Sequence, residues 1–224
     1  MTAKILKMIE DHRRRLLLEK YVKTHSDPEP ETLAKLARKA NLRLVSPRMM
    51  SGHIQGRLLK MFVRMQRPHK VLELGTYSAY ATACIAEALP QDASITTIEI
   101  FDELKPFISE AIKTLEISKK VHSLIGNALE IIPKLPIEEY DMIYIDANKR
   151  HYVEYIELLE ERLPVGAVVI ADNTLWDGKV VDPNEQDEQT VAIRKFNDRM
   201  AKSSRFEKVI LPIRDGLTIM YKIE

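Results

Sequence analysis

Two apolar runs in this chain end on acids, and those ends are where chemistry is first legible. "DMIYIDANKRH" carries Ile143 and Ile145 into Asp146, with the amine of Lys149 three residues on. "AVVIADNTLW" carries Val168 to Ile170 into Asp172 and Asn173. Asp146, Asp172 and Asn173 offer three oxygen donors and no sulfur or imidazole, a set that favours Mg²⁺, Ca²⁺ or Mn²⁺ over Zn²⁺. Three protein ligands leave positions open on an octahedral ion, so an acceptor could bind it through its own oxygens. Close to such an ion, Lys149 would carry its charge at a cost, which lowers its pKa and suits it to act as a base. The plainer alternatives are a turn-forming Asp172–Asn173 pair and a solvated Lys149.

Two further acids fall in comparable places. "VLELGTYSAYATA" puts Glu73 and Gly75 after the first apolar strand, and "SITTIEI" is closed by Glu99. A dinucleotide fingerprint would need glycine at Tyr77 and Tyr80, so the turn disfavours a pyrophosphate cofactor and with it a nicotinamide oxidoreductase. A nucleoside without phosphates does not need those glycines. Glu99 lies 24 residues beyond Gly75, where an acid commonly accepts from ribose hydroxyls. S-adenosylmethionine (SAM), with its adenosine, no phosphate and a cationic sulfonium, fits that pattern; a purely structural turn is the alternative. Trp176 either walls an aromatic pocket or packs its own loop. The six histidines show no ligand spacing, and Cys84 reads as core.

The elements that must position these residues alternate. From Pro68 onward, strands "KVLEL", "SITTIEI", "VHSLI", "DMIYI" and "AVVIA" are separated by helical segments "YATACIAEAL", "ELKPFISEAIKTL", "ALEIIPKL" and "YVEYIELLEERL". Apolar strands alternating with helices predict an α/β fold with a parallel sheet covered on both faces. Ligands of such sheets bind beyond the carboxyl ends of the strands, and Glu73, Glu99, Asp146 and Asp172 all fall there. A helix from about Thr190 to Ser203 and an antiparallel pair, "RFEKVILPI" and "GLTIMYKIE", close the chain. The first 66 residues read as helices, the third of them beginning at "SGHIQG" with Ser51 as its N-cap.

Composition narrows the classes. With 224 residues, 45% hydrophobic, the chain has enough for one core; we read 1–224 as one domain, with 1–66 a helical extension and 67–224 the α/β body. A net charge of +1 gives no general case for nucleic acid or anionic membrane. A single cysteine and the lack of any long apolar run lead to the expectation of a soluble, cytoplasmic protein.

At "VLELGTYSAYAT", "ITTIEI", "YIDANKRHY", "ADNTLWDGKV" and "DGLTIMYK" the chain resembles the cation-dependent O-methyltransferases, which include catechol and caffeoyl-CoA O-methyltransferases, most of all their small bacterial members. The resemblance runs from about Pro28 to Lys222. It implies a Rossmann-like class I SAM-dependent methyltransferase fold: a mostly parallel seven-stranded sheet, helices on both faces, an antiparallel C-terminal strand and extra N-terminal helices. It implies that Asp146, Asp172 and Asn173 hold Mg²⁺ or another hard divalent cation, and that Lys149 is the general base with Asp146 beside it. It assigns Ser51, Glu73, Gly75, Thr76, Tyr77, Glu99, Ala128 and Asp146 to SAM. The acceptor it implies is a hydroxyl of a catechol-like or other vicinal-dioxygen small molecule, in a homodimeric enzyme that uses no membrane. Methylation of a hydroxylated base in tRNA, with Arg13, Arg14, Arg15 and Lys20 meeting phosphates, is the alternative acceptor; a non-catalytic SAM-binding protein is a further one. The chain departs from the family at Ala79, usually glycine, and at Ala81, usually a serine that helps hold the cofactor. A glutamate that grips the second catechol hydroxyl would fall at Val209, with Glu207 close in sequence.

Overall fold

A computed structural model describes residues 3–224. Three helices lead: α1 (Ala3–Thr24), α2 (Glu31–Arg43) and α3 (His53–Gln66). The body follows as β1 (Lys70–Leu74), α4 (Tyr80–Ala88), β2 (Ser94–Glu99), α5 (Lys105–Thr114), β3 (Val121–Ile125), α6 (Ala128–Ile131), β4 (Met142–Ile145), α7 (Tyr152–Leu159), β5 (Val168–Asp172), α8 (Glu188–Lys202), β6 (Phe206–Leu211) and β7 (Leu217–Lys222). The strands form one seven-stranded sheet in the order β3-β2-β1-β4-β5-β7-β6. β1 to β5 are parallel, and β7 enters antiparallel between β5 and β6. This is the mostly parallel, Rossmann-like sheet the sequence predicts.

The apolar strand runs are explained by burial on two faces. Val71, Ile95, Met142, Tyr144 and Ile170 face a core shared with α2 to α5, including Leu36, Leu59, Val63 and Ile85. Their alternates Leu72, Leu74, Ile143, Ile145 and Val169 face a second core with α6 to α8, including Ile132, Tyr152, Ile156 and Phe196. With period-2 side chains buried on both sides, these strands are mostly apolar, and Glu73 and Thr97 are buried polar residues within them.

Some local expectations differ. Helix α3 starts at His53, and its N-cap is Gly52 with φ +77, not Ser51. The Ser51 hydroxyl lies instead 3.4 Å from the Tyr144 hydroxyl. The segment expected as one helix over Ala128–Leu135 is one α turn followed by a 3₁₀ turn, because Pro133 has no N–H to continue the ladder. Helix α8 is capped by Asp187, whose side chain accepts from Thr190 N. Among the described residues, no helix is long and apolar enough to cross a membrane.

Candidate active site

The strand ends converge as the register requires. β1 lies between β2 and β4, and β4 pairs with β5, so the residues following Leu74, Ile98, Ile145 and Ala171 emerge along one edge. Gly75, with φ +98, brings the first turn so close to the fourth that a Cβ there would stand 2.2 Å from the carbonyl oxygen of Asp146. Only glycine fits that crossing. Ser51, Gly75, Thr76, Tyr77, Ala81 and Asp146 line one pocket at this edge, together with Met49, Met50, Ser78 and Tyr80.

The remaining cofactor residues of the sequence reading surround that pocket without lining it. Glu99 accepts from the backbone N–H of Tyr77 (2.7 Å) and of Phe101 (3.0 Å), tying the turn after β1 to the end of β2. Ala128 begins α6 beside them, behind the Asn127 cap. Glu73 is wholly buried; Thr82 donates to its Oε2 at 2.5 Å, and Oε1 has no partner. Burial pushes its carboxyl up to about 8. Burial likewise raises Asp146, with the Lys149 amine working against it and the Asp172 charge adding to it. A cation brought close, a bound ion or the ammonium and sulfonium of SAM, would favour the ionised form of both.

Asp146 and Asp172 sit at the ends of adjacent strands. Tyr152 joins the two ends, donating to Ile145 O (3.2 Å) and Asp172 O (3.0 Å). Lys149, only 8% exposed, donates to Asp146 Oδ1 at 2.7 Å. Asp172 Oδ2 accepts from Gln55 Nε2 (2.5 Å) and Tyr144 OH (3.0 Å), while Oδ1 accepts from Asn173 N (2.7 Å). Asn173, at φ +59, donates Nδ2 to Asp215 Oδ2 (3.4 Å), which leaves its amide oxygen as a donor atom for an ion. Two carboxylates and an amide oxygen, with partners that fix their rotamers, match a hard divalent cation.

Gln55, Tyr144, Tyr152 and Asp215 are supporting residues that sequence reasoning missed. None carried a local signal: Gln55 lies in the first turn of α3, whose buried residues also include Arg57. His53 and His151 do not join the site, since His53 Nε2 bonds Asp27 O at 2.7 Å and His151 stands 3.6 Å from Glu154. Trp176 packs against the second core, and its backbone N–H donates to Asp215 O at 3.2 Å. Neither Val209 nor Glu207 reaches the metal ligands. Glu207 pairs with Tyr221, which pairs with Val168 at the opposite end of β5 from Asp172, four residues or roughly 13 Å away.

Comparison with known proteins supplies the chemistry this edge performs. Residues 23–223 match the O-methyltransferase family model. A catechol O-methyltransferase of Niastella koreensis is 31% identical over 161 residues, covering 70% of this chain and 72% of that protein. A caffeoyl-CoA O-methyltransferase of Stellaria longipes is 28% identical over 185 residues, covering 78% and 77%. Among solved structures, the O-methyltransferase TomG of Streptomyces achromogenes, involved in tomaymycin synthesis and bound to SAM, superposes with a TM-score of 0.84 at 27% identity over 92% of this chain and 96% of that one. With its strand order, its cofactor-side pocket and a match across nearly its whole length, this chain belongs to the O-methyltransferase family and is a SAM-dependent O-methyltransferase of the caffeoyl-CoA and catechol type.

Proposed function

We propose that the enzyme methylates one of two adjacent hydroxyls on a small aromatic acceptor, with a hard divalent cation held by Asp146, Asp172 and Asn173. The observation that carries this reading is the pair of buried carboxylates on neighbouring strand ends, one 2.7 Å from the Lys149 amine, beside the pocket that Gly75 opens. A bound ion would supply charge for the acceptor's two oxygens and fix their orientation. Ser51, Gly75, Thr76, Tyr77 and Asp146 hold the methionine end of SAM, with Ala81 lining the same pocket, Glu99 holds the ribose, Ala128 the adenine side, and Glu73 supports the turn from below. Lys149 Nζ takes the proton of the reacting hydroxyl. The oxygen then forms its bond to the methyl carbon as the carbon–sulfur bond breaks, and S-adenosylhomocysteine leaves. Because the methyl group arrives activated, holding the oxygen in line with it provides much of the acceleration. The functional unit is a homodimer.

Methyl transfer to catechol and related vicinal diols should require Mg²⁺ and stop with a chelator. Lys149→Met should lower kcat by about 10²–10⁴-fold, the usual contribution of a positioned base, with SAM binding by calorimetry unchanged. Turnover that ignores the chelator would remove the ion from the reading, and an unchanged kcat would remove Lys149.

A further inference from the structure

One charged residue at this edge has no role so far. Arg214 occupies the first central position of the tight turn between β6 and β7, closed by Gly216 N–H to Ile213 O at 2.9 Å. Its φ is +49, a value glycine adopts freely and a long side chain adopts at a cost. The same turn is pinned to the metal side: Asp215 O accepts from Leu175 N and Trp176 N, and Gly216 O from Thr174 N. The Arg214 side chain crosses to the cofactor side, donating Nη1 to Met50 O at 3.1 Å, and a Cβ on Gly52 would meet it at 3.2 Å. The guanidinium thus stands between the Met50–Gly52 loop of the cofactor pocket and the Asn173–Trp176 loop that carries a metal donor.

Within the fold its charge is felt by Asp146, without direct contact. Arg214 is exposed, and among the described residues it forms no salt bridge within 4.0 Å, unlike the arginines that pair on the surface. One of its five N–H groups is used on Met50, leaving the fork free for a planar anion. A divalent ion held by Asp146 and Asp172 would neutralise them and leave Arg214 as an uncompensated cation at the mouth. No acid from β6 competes for the acceptor there, since Glu207 lies at the far end of the strand.

We propose that Arg214 is a specificity residue: it selects acceptors that carry an anionic group, carboxylate or phosphate, on the ring bearing the two hydroxyls. This rests on the reading of the site as a diol O-methyltransferase and narrows its substrate class. The acceptor's anion would bind the guanidinium held by this strained turn, and that contact would orient the diol toward the ion.

The test compares initial rates on catechol, protocatechuate and dihydroxybenzylphosphonate for the wild type, Arg214→Gln and Arg214→Lys. Gln keeps a polar N–H side chain and removes the charge. The wild type should prefer at least one anionic diol over catechol in kcat/KM by about ten- to hundredfold, the range of a charge-assisted hydrogen bond. That preference should reside in KM, weaken with added salt, collapse toward unity in the Gln variant and return in part with Lys. Which anionic diol leads distinguishes carboxylate from phosphate. A wild-type ratio near unity, or a Gln variant that lowers all three acceptors equally, would show Arg214 to be only a latch on Met50 and would overturn the proposal while leaving diol methylation standing. No transfer to any of the three, with SAM bound, would overturn both.

Discussion

Glu73 is a carboxyl group in the middle of the sheet with one oxygen bonded to Thr82 and the other to nothing. Its value of about 8 in the fold stands against 4.5 for an ordinary carboxyl. A raised folded value means the native state holds a proton that the unfolded chain gives up between pH 4.5 and 8. Glu73 therefore favours the fold least above pH 8 and does no harm below 4.5. Glu73→Gln should leave the melting temperature of the cofactor-free enzyme almost unchanged at pH 5 and raise it relative to wild type at pH 8.5. Parallel melting curves across that range would show that Glu73 is ionised and accommodated. Binding of SAM should shrink the difference, because a cationic ligand favours the charged carboxyl. At this scale the sequence reveals acids that end apolar runs, so Asp146 and Asp172 can be found by inspection. It does not reveal Gln55, which is 117 residues from the Asp172 oxygen it holds, or Arg214, whose neighbours gave it the look of an ordinary turn residue. Long-range partners leave no local trace.

The turn from β1 into α4 shows how an element tolerates a departure from its family. Ala79 is the N-cap of α4, at φ +60 and ψ +20, and it is fully buried. That backbone explains a family glycine: the left-handed region costs a residue with a Cβ about 1–2 kcal/mol. The methyl returns most of this, since burying it is worth about 0.8 kcal/mol and alanine loses less unfolded-state entropy than glycine. Ala79→Gly should consequently be nearly neutral, within about 1 kcal/mol. Ala79→Val should cost more than about 2 kcal/mol, because a β-branched residue at positive φ is a real outlier and the site has no spare volume. Denaturant unfolding of the two variants decides it; equal stability would mean the turn rearranges. The elements of the body were legible because both sheet faces are apolar and each helix from α4 to α8 lies between two strands. The Ser51 cap was not. Ser51 sits one residue before the real cap, and its hydroxyl is drawn to Tyr144 by a contact that only the folded sheet creates.

At the scale of the whole molecule, α1 is the unexplained element. Every residue from Ile5 to Thr24 is exposed, including Ile5, Leu6, Met8, Ile9, Leu16, Leu17, Leu18, Tyr21 and Val22. A helix of 22 residues gains most of its stability in proteins from packing an apolar face, and an apolar surface of this extent marks an interaction site. The helix carries seven basic and three acidic residues, a net +4, so with +1 for the whole chain the remainder carries −3. The helix of one copy and the body of another would thus be complementary in charge, which supports the homodimer proposed above. Light scattering should give a mass of twice 25.8 kDa. Ile9→Asp combined with Leu16→Asp should shift the equilibrium to the single-chain mass, because each places a charge where an apolar contact is required, and raised salt should weaken the wild-type dimer by screening the opposed charges. A wild-type chain that stays at 25.8 kDa at all concentrations would leave α1 without a partner in its own kind. A double variant that remains dimeric would move the interface off α1 and onto the exposed edge of β6, where Val209 and Ile210 face solvent.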